Sequence, residues 1–273
     1  MNKVILLFFF FSGFSACSLD KETQNPDHPI EDEKREYADY IFQYSMIDAL
    51  LAGVYEGSMT IEELKSKGDM GLGTFNQVNG ELIMHEGNVY RMKSDGRIET
   101  VADKVKTPLA FVKFFRPDTV FHLSGEKISY EDFEHFIRTT LNPNEMYAIR
   151  ISGSFQTLHA RAPEPAQKPY PPLAEHLATH QKEFDLVETK GTAVGFYLPE
   201  YTVRMNVPGF HLHYLSEDKK NGGHILNFIS DDLKIEADRA EGLILQNLDT
   251  PEFRKADLLK DRQKETLKVE RGR

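Results

Sequence analysis

Three histidines fall within fourteen residues, in the stretch GFHLHYLSEDKKNGGHILNF, of a chain that has ten in all. His211 and His213 are two apart, so on a strand their side chains share a face while Leu212 and Tyr214 take the other. SEDKKNGG is a polar connection ending in glycines between two apolar runs, which predicts a hairpin. His224 opens the returning strand and can face the first two across the pair. Three imidazoles at one spot suit a metal ion with three protein ligands and an open fourth position. Zinc is the default, and iron, manganese and copper also take imidazole. Two histidines alone would read as polar side chains on a half-exposed strand; the third, brought in by the hairpin, favours the metal. Such a centre polarises a carbonyl or generates hydroxide. Spacing alone leaves a hydrolase, a decarboxylase, an isomerase and a sugar-binding module open. The other seven, His28, His85, His122, His135, His159, His176 and His180, have no such geometry and read as ordinary polar residues.

The elements that must place these residues are legible from periodicity. Residues 37–51 carry apolar positions at helical spacing (Tyr40, Ile41, Tyr44, Ile47, Leu51), and Thr60 with Glu63 three residues on forms a capping box for a short helix. From Gly71 the period becomes two. The pairs Asn79-Gly80, Glu86-Gly87 and Asp95-Gly96 mark turns between strands at 81–85, 89–93 and 97–101, an antiparallel meander. Residues 109–115 and 118–123 continue as strands, 129–140 as a helix and 146–157 as a strand. Residues 160–173, ARAPEPAQKPYPPL, hold five prolines and predict a rigid extended loop. A short helix within 173–183, strands at 191–198, 201–207, 209–215 and 224–229, and a charged helical segment at 251–273 complete a β-rich α+β chain.

Length and composition set the frame. The 273 residues are 40% hydrophobic and 28% charged, enough for one large domain or two small ones with a sizeable core. A net charge of −10 disfavours nucleic acid as a partner, since phosphate contacts need clustered Lys and Arg. Lys3, an apolar run over residues 4–11 and small residues before Cys17 predict a secretory signal over residues 1–16, too short to span a membrane. Cys17 is the one cysteine, so no intrachain disulfide forms, and its place after Phe14-Ser-Ala16 resembles a bacterial lipoprotein cleavage site. That predicts an exported chain, lipid-anchored to a bacterial membrane and facing the periplasm or exterior. Residues 17–36 read as a flexible linker.

Three blocks carry a family resemblance: GDMGLGTFNQVNGELIMHEGNVYRMKSDGRIETV with KTPLAFVKFF after it, SGSFQTLHARAPEPAQKPYPPL, and NVPGFHLHYLSEDKKNGGHIL. In this order, over about residues 40–270, they resemble the α-acetolactate decarboxylases. The resemblance implies two linked α/β domains, here 37–159 and 160–273, with a mixed sheet, an antiparallel sheet and the metal site on a β-hairpin. It implies a lyase that converts 2-acetolactate to (R)-acetoin and carbon dioxide through a metal-stabilised enediolate, and members that are usually homodimers. It implies Zn2+ on His211, His213 and His224. It further implies Glu81, Arg161 and Thr74 as site residues, with Glu270 from the tail and Glu265 as its competitor. Arg161 suits the substrate carboxylate, because its planar fork pairs with carboxylates bidentately. Glu81 and the tail glutamate suit proton transfer if burial raises their pKa values. A contrasting reading on the same scaffold is an inactive extracytoplasmic metal- or sugar-binding lipoprotein.

Overall fold

A computed structural model describes residues 38–271. The signal segment, Cys17 and the linker lie outside the described residues. No helix among the described residues is long and apolar enough to cross a membrane.

Two sheets face each other. The first has seven strands in the order β12-β1-β6-β2-β3-β4-β5, built from β1 (Tyr40–Tyr44), β2 (Met70–Thr74), β3 (Glu81–His85), β4 (Asn88–Met92), β5 (Ile98–Thr100), β6 (Leu109–Lys113) and β12 (Gly242–Gln246). It is mixed: β1 runs parallel to β12, and the remaining neighbours are antiparallel. The second sheet is antiparallel, in the order β10-β9-β8-β11-β7, from β7 (Thr119–Ser129), β8 (Met146–Pro163), β9 (Gln181–Leu198), β10 (Gly209–Ser216) and β11 (Gly222–Ala240). Strands β10 and β11 also pair, so β10, β9, β8 and β11 close on one another at one end. Helices α1 (Ile47–Leu51), α2 (Ile61–Lys65), α3 (Tyr130–Thr140), α4 (Leu173–Leu177), α5 (Pro251–Lys255) and α6 (Gln263–Arg271) lie around them.

Strand alternation sorts side chains between layers. On β3, Ile83 joins the core cluster that also holds Val194, Phe196 and Leu215 of the second sheet, while Leu82 and Met84 face the opposite side with Phe42 and Val112. On β10, Leu215 faces the inter-sheet core, while Phe210, Leu212 and Tyr214 pack with Phe133 and Ile137 of α3. Odd-numbered positions of β3 and of β10 therefore point into the space between the sheets.

The meander strands, the Thr60 capping box and helix α3 appear as predicted, and Ser129 caps α3 by accepting from the Asp132 backbone N–H. Four segments differ. Residues 40–44 form a strand, not a helix. Both of its neighbours supply ladder bonds and both of its faces are buried, so its apolar run imitates helical spacing. Ser45, at φ 67°, then turns the chain into α1. Residues 160–163 extend β8 into the proline-rich segment, with Pro163 at the strand's last position, where its missing N–H is tolerated. Residues 201–207 are not a strand: a 3-10 turn at Glu200–Thr202 follows Pro199, and Arg204 has φ 76°. The tail is two helices, α5 and α6. Residues 159 and 160, where the sequence places the division between its two units, both lie within β8.

Candidate metal centre and active site

The histidines converge through strand register. His213 on β10 lies directly opposite His224 on β11, and His224 lies directly opposite Arg161 on β8. One cross-strand row therefore carries Arg161, His224 and His213 on a single face. His211 stands two residues before His213 on that face. The potential ligand atoms of the three histidines lie within 4.8 Å of one another. Gly223 permits the crowding of three strands: its φ is 134°, and a Cβ there would sit 2.6 Å from the Arg161 carbonyl. The hairpin loop is tied by Ser216, whose Oγ accepts from the backbone N–H groups of Lys220 (3.1 Å) and Asn221 (2.9 Å).

The first sheet supplies a second row. Thr74 on β2 lies opposite Glu81 on β3, and Glu81 shares the inward face of Ile83. Thr74 Oγ1 donates to the Gly80 carbonyl (2.8 Å), which closes the β2–β3 turn just before Glu81. That turn holds Gln77 and Val78 at φ 67° and 47°. It is pinned from outside by the proline-rich segment, where Ala166 N–H donates to the Gln77 carbonyl at 2.7 Å. Val at positive φ is uncommon, and such strain persists only where surrounding structure holds it.

The C-terminal helix α6 supplies the last group. Thr266, Val269 and Glu270 are its buried positions, three and four residues apart on one face. Glu270 Oε2 is 3.5 Å from His211 Nε2 and 3.8 Å from His224 Nε2, and the Glu270 backbone carbonyl is 3.0 Å from His224 Nε2. Glu265, the other tail glutamate, points away and pairs with Lys260 at 2.6 Å. On the opposite side Glu81 Oε2 is 3.6 Å from His213 Nε2. All seven residues singled out in the sequence line one cavity, together with apolar side chains that include Ile47, Leu50, Val78, Leu177 and Val269. The apolar wall carried no sequence signal of its own, because core leucines and valines look the same wherever they pack.

Electrostatics fit the group to a cation. Burial lowers the pKa of His211 to about 3, with Arg161 adding to the effect. Burial also holds His213 and His224 well below the usual histidine range. All three are therefore neutral, with lone pairs to offer. His213 Nδ1–H donates to the Leu82 carbonyl of the first sheet (2.8 Å), which fixes its tautomer and leaves Nε2 as the free lone pair. His213 Nε2 and Glu270 Oε2 are buried acceptors with no hydrogen-bond partner. Buried acceptors are normally paired, and a divalent cation is a partner that suits both atoms. Burial pushes the Glu81 carboxyl up to about 8, with Arg161 opposing and Glu270 adding to the rise. Burial pushes Glu270 up to about 7, again against Arg161.

Residues 41–260 match the family model for alpha-acetolactate decarboxylase. The chain belongs to that family. The alpha-acetolactate decarboxylase of Brevibacillus brevis is 38% identical over 225 residues, 80% of this chain and 76% of the relative. That of Methanosarcina mazei is 32% identical over 266 residues, 95% of this chain and 92% of the relative. The crystal structure of alpha-acetolactate decarboxylase from Bacillus subtilis strain 168 superposes with a TM-score of 0.82 at 35% identity, covering 85% of this chain and 99% of that one. The two facing sheets are thus the architecture of a solved family member.

Proposed function

We propose that the protein is an acetolactate decarboxylase that converts 2-acetolactate to (R)-acetoin and carbon dioxide, with a zinc ion held by His211, His213 and His224. One observation carries this reading: three neutral imidazoles, two carboxyls of raised pKa and one buried guanidinium line a single cavity, in a chain of this family. The ion would supply a Lewis acid for the ketone and hydroxyl oxygens of the substrate, and so a sink for the electrons released with carbon dioxide.

The chain's own groups do the rest. Arg161 Nε is buried and unpartnered, a donor free for the substrate carboxylate. The bond to that carboxylate breaks, its electron pair moves onto the neighbouring ketone, and the carbon left behind takes a proton. The reaction consumes one proton overall. Glu81 holds it, because burial keeps its carboxyl protonated near neutral pH. Glu270 is the second carboxyl within reach of the histidines. Glu81 is fixed on β3, so the proton arrives from one face and one enantiomer of acetoin results. Thr74 positions Glu81 by closing the turn that leads into β3. The apolar wall excludes water around these steps.

The test is to incubate purified protein with racemic acetolactate and follow acetoin, with and without a chelator. Acetoin formation that stops on chelation is expected. No acetoin above the spontaneous rate would remove the decarboxylase reading. His213→Ala should lose bound zinc, measured by elemental analysis; wild-type zinc in that variant would remove the three-histidine centre.

A further inference from the structure

Arg161 is buried, yet a single side chain accepts from its guanidinium among the described hydrogen bonds: Nη1 donates to Gln181 Oε1 at 3.0 Å. The other end of the Gln181 amide donates to Glu183 Oε1 at 3.2 Å. Glu183 is held in turn, its second oxygen 3.0 Å from His159 Nε2. A guanidinium only donates and a carboxylate only accepts, so the amide fits one way round, with its oxygen toward Arg161. The ladder explains the reach. Arg161 lies opposite Glu183, and Pro163 lies opposite Gln181, so Gln181 is the diagonal neighbour of Arg161 on one face.

Arg161 also borders two spaces. One is the inner cavity with the histidines; the other is an outer cleft lined by Gln181, Glu183, Lys268 and Leu226. Arg161 shares the wall between them with Leu177 and Val269, and Gln181 stands on the outer side. We propose that Gln181 is the positioning residue for Arg161: it anchors one arm of the guanidinium from the outer cleft and leaves the remaining donors to the substrate carboxylate. An amide suits this task because it accepts a hydrogen bond without neutralising the cation. A carboxylate at the same place would compete with the substrate for the charge. The carboxylate role of Arg161 is taken from the proposed function, on which this inference rests.

The experiment compares the protein as isolated with Gln181→Met and Gln181→Glu. Acetolactate kinetics are measured, together with calorimetric binding of 2-hydroxy-2-methylpropanoate, which keeps the hydroxyl and carboxylate but has no ketone and does not react. Zinc content and Tm should match wild type in both variants. In Gln181→Met, loss of one charge-assisted hydrogen bond should raise KM and the probe Kd together by about tenfold. The value of kcat should stay within about twofold, because the lost contact is a binding one. In Gln181→Glu both constants should rise further, by roughly a hundredfold, although a hydrogen-bond acceptor is retained. A residue with a merely structural role would not rank the variants this way. Wild-type KM and probe Kd in Gln181→Met, or probe binding by Gln181→Glu as tight as wild type, would overturn the proposal. If wild type makes no acetoin while the probe still binds in the order wild type, Met, Glu, the decarboxylase reading falls and the Gln181–Arg161 pairing stands.

Discussion

At the scale of single residues, the site is a set of polar groups whose burial changes their chemistry. Exposed histidines would be partly protonated near neutrality and poor ligands; burial makes His211, His213 and His224 neutral. The same burial pushes the Glu81 carboxyl up to about 8, so that it holds a proton near neutral pH. Glu81→Gln keeps the shape and removes the proton. It should retain zinc and lower kcat roughly a hundredfold or more, the usual worth of a positioned acid. Stopped-flow or endpoint acetoin assays read this directly, and a variant with near-normal kcat would take Glu81 out of proton transfer. The histidine pattern, Glu81 and Arg161 were legible in the sequence, the last two through the resemblance of the blocks around them. Gln181 was not, because nothing in its neighbourhood in the chain marks it; its role comes from the diagonal contact across β8 and β9.

At the scale of elements, the site rests on two cross-strand rows and one helix. The rows Arg161–His224–His213 and Thr74–Glu81 are set by strand register, and a one-residue slip would turn each of them away from the cavity. Helix α6 is different. It docks against α1 and α4 through one narrow face and adds no strand to either sheet. A chain ending at residue 262 should therefore keep its far-ultraviolet circular dichroism and a cooperative melt. It should lose most turnover because Glu270 and Val269 are gone. Unfolding of the truncated chain would show that α6 belongs to the folding core, and full activity would show that Glu270 has no part in the reaction. The sequence predicted a helical tail, and charge alone would have placed it in solvent. Thr266, Val269 and Glu270 carry the buried face, and three positions among so many charges make a faint apolar signal.

For the whole molecule, the site is a cost that the packing of the two sheets must offset. In the metal-free protein Glu81 and Glu270 titrate near 8 and 7 against an ordinary value of 4.5, while His211 falls to about 3 against 6.5. Below 6.5 the unfolded chain binds more protons at the histidines, so these favour folding increasingly as pH rises toward 6.5. Above 4.5 the folded chain binds more protons at the two glutamates, so their contribution is lost as pH rises through 7 and 8. Above 6.5 the glutamates act alone. The metal-free protein should therefore lose denaturant stability between pH 6.5 and 8. Saturating zinc should raise stability by mass action across that window. A stability that is flat or rising with pH in the metal-free protein would contradict the raised carboxyl values.

The sequence by itself determined the short-range features, because each is a contest among neighbours in the chain: the turns, the Thr60 and Ser129 caps, the α3 stripe, and the alternation that puts His211 and His213 on one face. Only the tertiary structure decided what depends on partners far along the chain. Residues 40–44 became a strand because β12 and β6 supply ladder bonds on both sides, which local spacing cannot express. Glu270 became part of the site rather than Glu265 because the docking of α6 buries one and leaves the other paired with Lys260. The histidine trio shares its sheet with Arg161, but it met Glu81 and much of its apolar wall only when the two sheets packed face to face. Burial, which sets the chemistry of every group in the site, is a property of the packed molecule.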